Sequence, residues 1–343
     1  MDDPSKAHAA RVYAADPLLS GQDELTAKRG EEWLETADAI GLAAVDRLHP
    51  DTLPACWSPL VVHRLRARAA GPDPEAALGA LLDRWLAMPR GGQPGQALSV
   101  LWPSRDTAPV RALAVRGFAP ITSLAVRGLA PVGGLAPTAG RAPVASPAFG
   151  GVAPVVSPAA DRLAPDASSA ARHGRPGAAP GDGVAIRRAR PDDVDVVTAM
   201  YERLVAYDAQ WGWVTVRSST SERLRESVER EVLPLNWCWV AEAEGHPVGC
   251  VIVEPPGRSG WISHAVNDAP VTYLGVMYVE PSVRGRGVGA ALTDAAHAAA
   301  AAQGATTMLL HHALPNPLST PFWARRGYRP LMTQWVRHLQ QPS

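Results

Sequence analysis

Between Val279 and Leu292 the sequence ends an apolar strand, turns through Arg284-Gly-Arg-Gly-Val-Gly289 and opens an alanine-rich helix. Few folds accommodate that order. The first amide groups of a helix have no intrahelical acceptor, and the helix dipole places partial positive charge beside them. Glycines just ahead of the helix supply positive φ and let the backbone approach an anion closely. Arg284 and Arg286 add charge at the same place. The segment therefore reads as a cradle for phosphate groups at a strand-to-helix junction.

Two nucleotide motifs are excluded by spacing. Ala290 stands where a dinucleotide fingerprint needs its third glycine, and no Gly-Lys-[Ser/Thr] follows. Lys+Arg and Asp+Glu both total 33, which argues against a nucleic-acid binder driven by phosphate neutralisation. Cys56, Cys238 and Cys250 are odd in number and lack metal-ligand spacing, so neither a disulfide framework nor a metal is expected. The N-terminus lacks the charged and apolar regions of a signal peptide. No run approaches the roughly 18 apolar residues that span a membrane. A cytoplasmic protein that engages neither membrane nor nucleic acid is expected.

Composition divides the chain into 1–128, an Ala/Pro/Gly-rich linker over 129–183, and 184–343. Beyond the linker, Val184-Ala-Ile-Arg-Arg reads as a strand, and Pro191-Asp-Asp-Val opens a helix running towards Tyr207. A second amphipathic helix is expected over Ser219–Val232, then a hairpin around Glu244-Gly-His. A strand over Tyr273–Val279, a helix over Gly287–Ala302, a strand over Thr306–His311, a short helix over Leu318–Arg326 and a strand over Leu331–Leu339 complete an α+β layout around a mixed sheet.

These residues resemble the GNAT superfamily of N-acetyltransferases. Arg284-Gly-Arg-Gly-Val-Gly matches the family's [Gln/Arg]-x-x-Gly-x-[Gly/Ala] loop after Tyr278-Val-Glu-Pro, and Asn316 with Phe322-Trp323-Ala-Arg-Arg-Gly327-Tyr328 is similar to its second signature. The resemblance covers Val184 to about Leu339 and implies a GNAT-like sheet flanked by helices. It implies that acetyl-CoA is the acyl donor. Met277, Tyr278 and Val279 would hold the pantetheine arm, and Arg284, Gly285, Arg286, Gly287, Val288 and Gly289 the pyrophosphate. Asn316 and Trp323 would also contact the coenzyme. Transfer would proceed by direct attack of an amine on the thioester, aided by positioning and oxyanion stabilisation.

Two departures leave the proton chemistry open. The family's Tyr general acid falls on Trp323, and the Glu that many relatives carry six residues before Val279 falls on Tyr273. Candidates for the missing roles are Glu254, Tyr273, His311 and His312, with His264 and Asp268 in segments that could border the site. Asp208, Trp211 and Trp213 follow the first helix, where the resemblance implies an acceptor pocket; they could hold an amine by charge and cation–π contact.

The N-terminal half carries a fainter copy. Shifted by 210 positions, Ala114, Arg116, Gly117, Pro120, Val126 and Arg127 meet identical residues at Ala324, Arg326, Gly327, Pro330, Val336 and Arg337. Yet Arg284 to Gly287 fall on Pro74, Glu75, Ala76 and Ala77, a sequence that repels phosphate and lacks the glycines. Residues 1–128 are thus expected to be a truncated, degenerate GNAT-like domain without its own coenzyme. The overall expectation is an N-acyltransferase acting on a small-molecule amine, with a non-catalytic acyl-CoA-binding or regulatory module, or a protein N-acetyltransferase, as alternatives. The oligomeric state, monomer or homodimer, is undetermined at this level.

Overall fold

The structure, a computed structural model, describes residues 3–90, 95–130 and 183–339; the expected linker lies outside them except at its ends. The first half runs α1 (Pro4–Ala15), β1 (Glu32–Glu35), β2 (Ala39–Arg47), α2 (Leu53–Cys56), β3 (Val61–Ala69), α3 (Pro74–Leu86), β4 (Gln96–Pro103), α4 (Val110–Ala114) and β5 (Ala119–Gly128). The second runs β6 (Val184–Arg188), α5 (Val194–Asp208), α6 (Thr220–Ser227), β7 (Cys238–Ala243), β8 (His246–Glu254), α7 (Gly260–Ser263), β9 (Val271–Val279), α8 (Val288–Ala302), β10 (Thr307–Ala313), α9 (Ser319–Arg325) and β11 (Arg329–His338). The class is α+β, with helices on both faces of one mixed sheet. The helix expected over Ser219–Val232 closes at Ser227 and continues as a π-helical turn over Val228–Val232.

Local chemistry explains the main elements. The Asp73 carboxylate accepts from the Ala76 amide at 2.9 Å and Pro74 occupies the first turn, which starts α3. Period-two alternation sorts the strands of the second half. Val251 and Val253 of β8 pack under α8 with Leu292 and Ala296, while Ile252 faces α5 with Val197 and Val205. Leu274 and Val276 of β9, two residues apart, fall on opposite faces because the pairing is irregular at Gly275 between them.

The eleven strands form a single sheet in the order β1-β2-β3-β4-β11-β5-β10-β9-β8-β7-β6. Only β3–β4 and β9–β10 are parallel. The division of the chain in sequence is therefore not a division of the sheet: β11 pairs with β4 and β5 pairs with β10, so each half lends its last strand to the other. The exchange follows the 210-residue shift. Val126 lies opposite Leu309, and Val336 opposite Ser99; Ala39 lies opposite Ala69, and Gly249 opposite Val279. Trp335 of β11 joins the core made by Leu65, Leu78, Trp85 and Leu98, while Ala125 of β5 joins the core under α8.

The residues that match across the shift are those at the crossing. Arg127 Nη1 donates to the Arg326 carbonyl at 2.6 Å, and Arg337 Nη1 donates to the Arg116 carbonyl at 3.0 Å. Each guanidinium caps a carbonyl at the end of the other half's short helix. Gly117 and Gly327 both hold φ of +80° in the turns beneath these caps, a conformation suited to glycine.

One asymmetry breaks this symmetry. Pairing of β2 with β3 is regular throughout, whereas β8 and β9 shift register between Ile252 and Val253, passing over Gly275. The parallel pairing of β9 with β10 ends at Leu274 and Leu310, where the strands separate, as that of β3 with β4 ends at Leu65 and Val100.

Because Trp335 completes a core in the other half, Trp335→Ala should lower stability by about 3–5 kcal/mol. Unfolding in urea should remain one transition by both fluorescence and circular dichroism, since neither half keeps its sheet without the other. Two resolved transitions would contradict a shared core.

Candidate active site

The separation of β9 from β10 opens a cleft of about 540 Å³. One wall is β9 from Tyr273 to Val279, and another is the end of β10, His311 to Ala313. Leu204, Tyr207 and Asp208 of α5 and the following Trp211 and Trp213 close one side; the glycine loop and Phe322 lie along another. Of the residues expected from sequence, Met277, Tyr278, Val279, Arg284, Gly285, Gly287, Val288, Gly289, Asn316, Trp323, Asp208, Trp211, Trp213, Tyr273, His311 and His312 all line it. Arg286 does not; it is exposed on the loop.

The loop is built as an open cradle. Gly285 and Gly287 hold φ of +80° and +83°, and no atom lies within 4 Å of where a Cβ would stand on either. Gly287 is the N-cap of α8, and no side chain caps that helix. The amides of its first turn are left for an external acceptor. At Gly289 a Cβ would meet the Phe322 ring at 3.2 Å, so glycine here lets α8 approach α9. Arg284 donates from Nε to the Val279 carbonyl at 2.9 Å, tying the loop to the end of β9.

Asn316 joins two parts of the cleft. Its Oδ1 accepts from the amides of Leu318 and Ser319 at 2.9 and 3.3 Å, capping the approach to α9, while its Nδ2 donates to Asp208 Oδ1 at 3.3 Å. Burial raises the Asp208 carboxyl to about 6, partly offset by that hydrogen bond. Asp208 is thus a carboxylate at neutral pH with its titration moved close to the physiological range.

Buried Tyr273 and half-buried His311 form a pair at the cleft wall, with Tyr273 Oη and His311 Nδ1 2.9 Å apart. Burial pushes the phenol upward and the imidazole down to about 3, so both are neutral and share this hydrogen bond. His312, also lowered by burial, lies 3.4 Å from Thr320 Oγ1. Trp323 is buried between Phe322 and Tyr328 in edge-to-face contacts. It supplies packing where the family pattern has a phenol.

Glu254 is not brought to the cleft. Its Oε2 accepts from Trp261 Nε1 at 2.7 Å, and burial raises its carboxyl. Asp268 is likewise outside, accepting from Thr307 Oγ1 at 2.7 Å, and so is His264.

Sequence reading missed the contribution of the first half. Trp57, Ile121 and Thr122 line the cleft. Trp57 lies against Tyr201 of α5 with ring centroids 5.7 Å apart. The turn after α2 also holds the segment that carries Trp211 and Trp213. Thr215 N donates to the Cys56 carbonyl at 3.2 Å, and Arg217 donates to the carbonyls of Ala55 and Ser58 at 2.9 and 3.1 Å. Nothing in the spacing of residues 50–60 signals this role, because it arises from the strand exchange.

Comparison with known proteins agrees with this geometry. The Acetyltransferase (GNAT) family profile matches residues 206–328. A GCN5-related N-acetyltransferase from Sphaerobacter thermophilus is similar over 100% of this chain and 95% of its own, with TM-score 0.52 and 14% identity. One from Kribbella flavida aligns over 90% of this chain and 89% of its own, with TM-score 0.40 and 15% identity. One from Ralstonia eutropha JMP134 aligns over 47% and 99%, with TM-score 0.32 and 25% identity. No curated protein matches the chain in sequence. Among the described residues there is no cluster of potential metal ligands and no helix long and apolar enough to cross a membrane. With the glycine loop, the open first turn of α8 and the matched region all in its second half, the chain carries a GNAT acetyltransferase domain there.

Proposed function

We propose that this acetyltransferase uses acetyl-CoA as donor, acts on the amine of a small molecule in the cytosol, and keeps one donor site, in its second half. The observation that carries the proposal is the single cleft that joins the uncapped, glycine-flanked start of α8 to the carboxylate of Asp208. The amides of Val288, Gly289 and Ala290 would take the pyrophosphate, and the edge of β9 over Met277–Val279 would take the pantetheine arm as an added strand. Pro74, Glu75, Ala76 and Ala77 replace the loop in the first half, which favours reading residues 1–128 as a degenerate GNAT-like domain that shapes the site.

In this reading the neutral amine attacks the thioester carbonyl; the nitrogen–carbon bond forms, the carbon–sulfur bond breaks, and coenzyme A leaves as a thiolate. Asp208 attracts the incoming ammonium and takes its first proton directly or through water, and the attacking nitrogen gives its second proton to water as the carbon–sulfur bond breaks. Tyr273, fixed by His311, keeps a hydroxyl at the wall of β9 for orienting the reacting groups. Trp323 carries no phenol, so the thiolate takes its proton from solvent. That same residue favours a second reading, a coenzyme-binding module without turnover.

Release of thiol from acetyl-CoA in the presence of an amine panel separates the two. Gly287→Asp and Gly287→Asn test the cradle, because both residues tolerate positive φ and only one adds charge. The Asp variant should bind acetyl-CoA at least about tenfold more weakly than the Asn variant, from charge at the helix start. Equal affinities would remove the pyrophosphate from this loop.

Asp208→Asn should lower kcat/KM for the amine by roughly 100-fold, within the range of general-base effects, and abolish an acidic limb near pH 6 in the wild-type profile. Stability should move the other way. The folded carboxyl titrates above an unfolded one, so its ionisation weakens the fold as pH rises from about 4 towards about 6, and fully beyond. The Asn variant should be more stable at pH 8 by up to about 3 kcal/mol, with the gain shrinking towards pH 4.

A further inference from the structure

The acceptor side of the cleft has an unusual chemical balance. Among the described residues, Asp208 is the single carboxylate that lines the cleft. Its lining cations, Arg284 and Arg325, stand on the glycine loop and on α9, on the side read above as the donor's. His311 and His312 are half-buried, and desolvation holds them neutral. The same cleft is lined by the rings of Trp57, Tyr207, Trp211 and Trp213. The indole N–H groups of Trp57, Trp211 and Trp213 are closed off from solvent, so a ligand meets ring carbons in place of indole donors.

We propose that the acceptor is a primary amine, cationic in solution, on a flat apolar body that carries no acid group, and that Trp57 from the first half sets how it seats. The proposal rests on the acetyl-transfer reading above and names its substrate class. An ammonium gains from Asp208 and from the aromatic faces. A carboxylate or phosphate on the same molecule would face Asp208 with no cation of its own to pair with, a like-charge arrangement that selects against it. A sugar-like body would place hydroxyls against ring surfaces that offer few donors and would lose solvent hydrogen bonds there. Trp57 is well placed to set the fit, since it lies on Tyr201 and adjoins the residues that anchor the 211–217 segment.

The test compares tryptamine, tryptophan and glucosamine with the full-length protein. Tryptamine and tryptophan differ by one carboxylate, and glucosamine replaces the apolar body. Acetylation is followed with acetyl-CoA, and binding by calorimetry with coenzyme A present. We expect kcat/KM for tryptamine to exceed both others by at least about tenfold. Tryptophan or glucosamine acetylated as well as tryptamine would overturn the acceptor class while leaving acetyl transfer intact. Selective binding of tryptamine without turnover would uphold the class and sink the transfer reading. No binding of tryptamine would overturn the class. Trp57→Ala should raise the KM for tryptamine several-fold at unchanged KM for acetyl-CoA, with Trp57→Phe restoring most of it. Equal losses for both substrates would reduce Trp57 to a packing residue and overturn its part.

Discussion

The exchange of β5 and β11 is the constraint on which the remaining architecture depends. Each strand fills the slot beside the other half's penultimate strand, and each brings an arginine that caps the opposite helix end. Hydrogen bonds of that kind are worth little singly, roughly 1 kcal/mol net. Their importance is geometric, because they fix two turns and the register of four central strands together. The cores follow from that register, with Trp335 completing one and Ala125 the other.

Within this near-symmetric frame the site sits where the symmetry fails. The two halves share the register of β2–β3 and β8–β9 up to Gly275, but only the second carries the register shift there and the glycines ahead of its long helix. Separation of β9 from β10 leaves strand edges without a partner and makes the cleft. The first half keeps helix α3 at the matching place, capped by Asp73 and carrying Glu75 in its first turn. A helix start already capped and acidic has no use for a phosphate.

The first half thereby acquires a task that its own sequence does not show. The exchanged strand and the turn after α2 bring Ile121, Thr122 and Trp57 to the wall of a cleft in the other half. The hydrogen bonds from Thr215 and Arg217 to this turn hold the Trp211–Trp213 segment against α5. The same placement excludes water around Asp208, and that desolvation raises its titration into the useful range. Glu254, also raised by burial, lies outside the cleft and is occupied by the Trp261 N–H.

The sequence by itself determined whatever is carried by short-range chemistry. Strand periodicity, the capping signals and the glycine loop sit within a few residues of one another, so the β9–loop–α8 unit and most element positions were legible, as was the 210-residue repeat. Tyr273, Asn316 and Asp208 were singled out because the family resemblance points to positions around that unit, and all three line the cleft. What only the tertiary structure decided is which strands are neighbours. A swapped and an unswapped pairing of β5 and β11 present the same local patterns, because their sequences match at the residues that face the crossing. That choice brought Ile121 and Thr122 of β5 to the cleft, and packing between distant segments brought Trp57 there, left Glu254 and Arg286 out, and buried Asp208. Burial and contact between distant segments are properties of packing, and no local spacing encodes them.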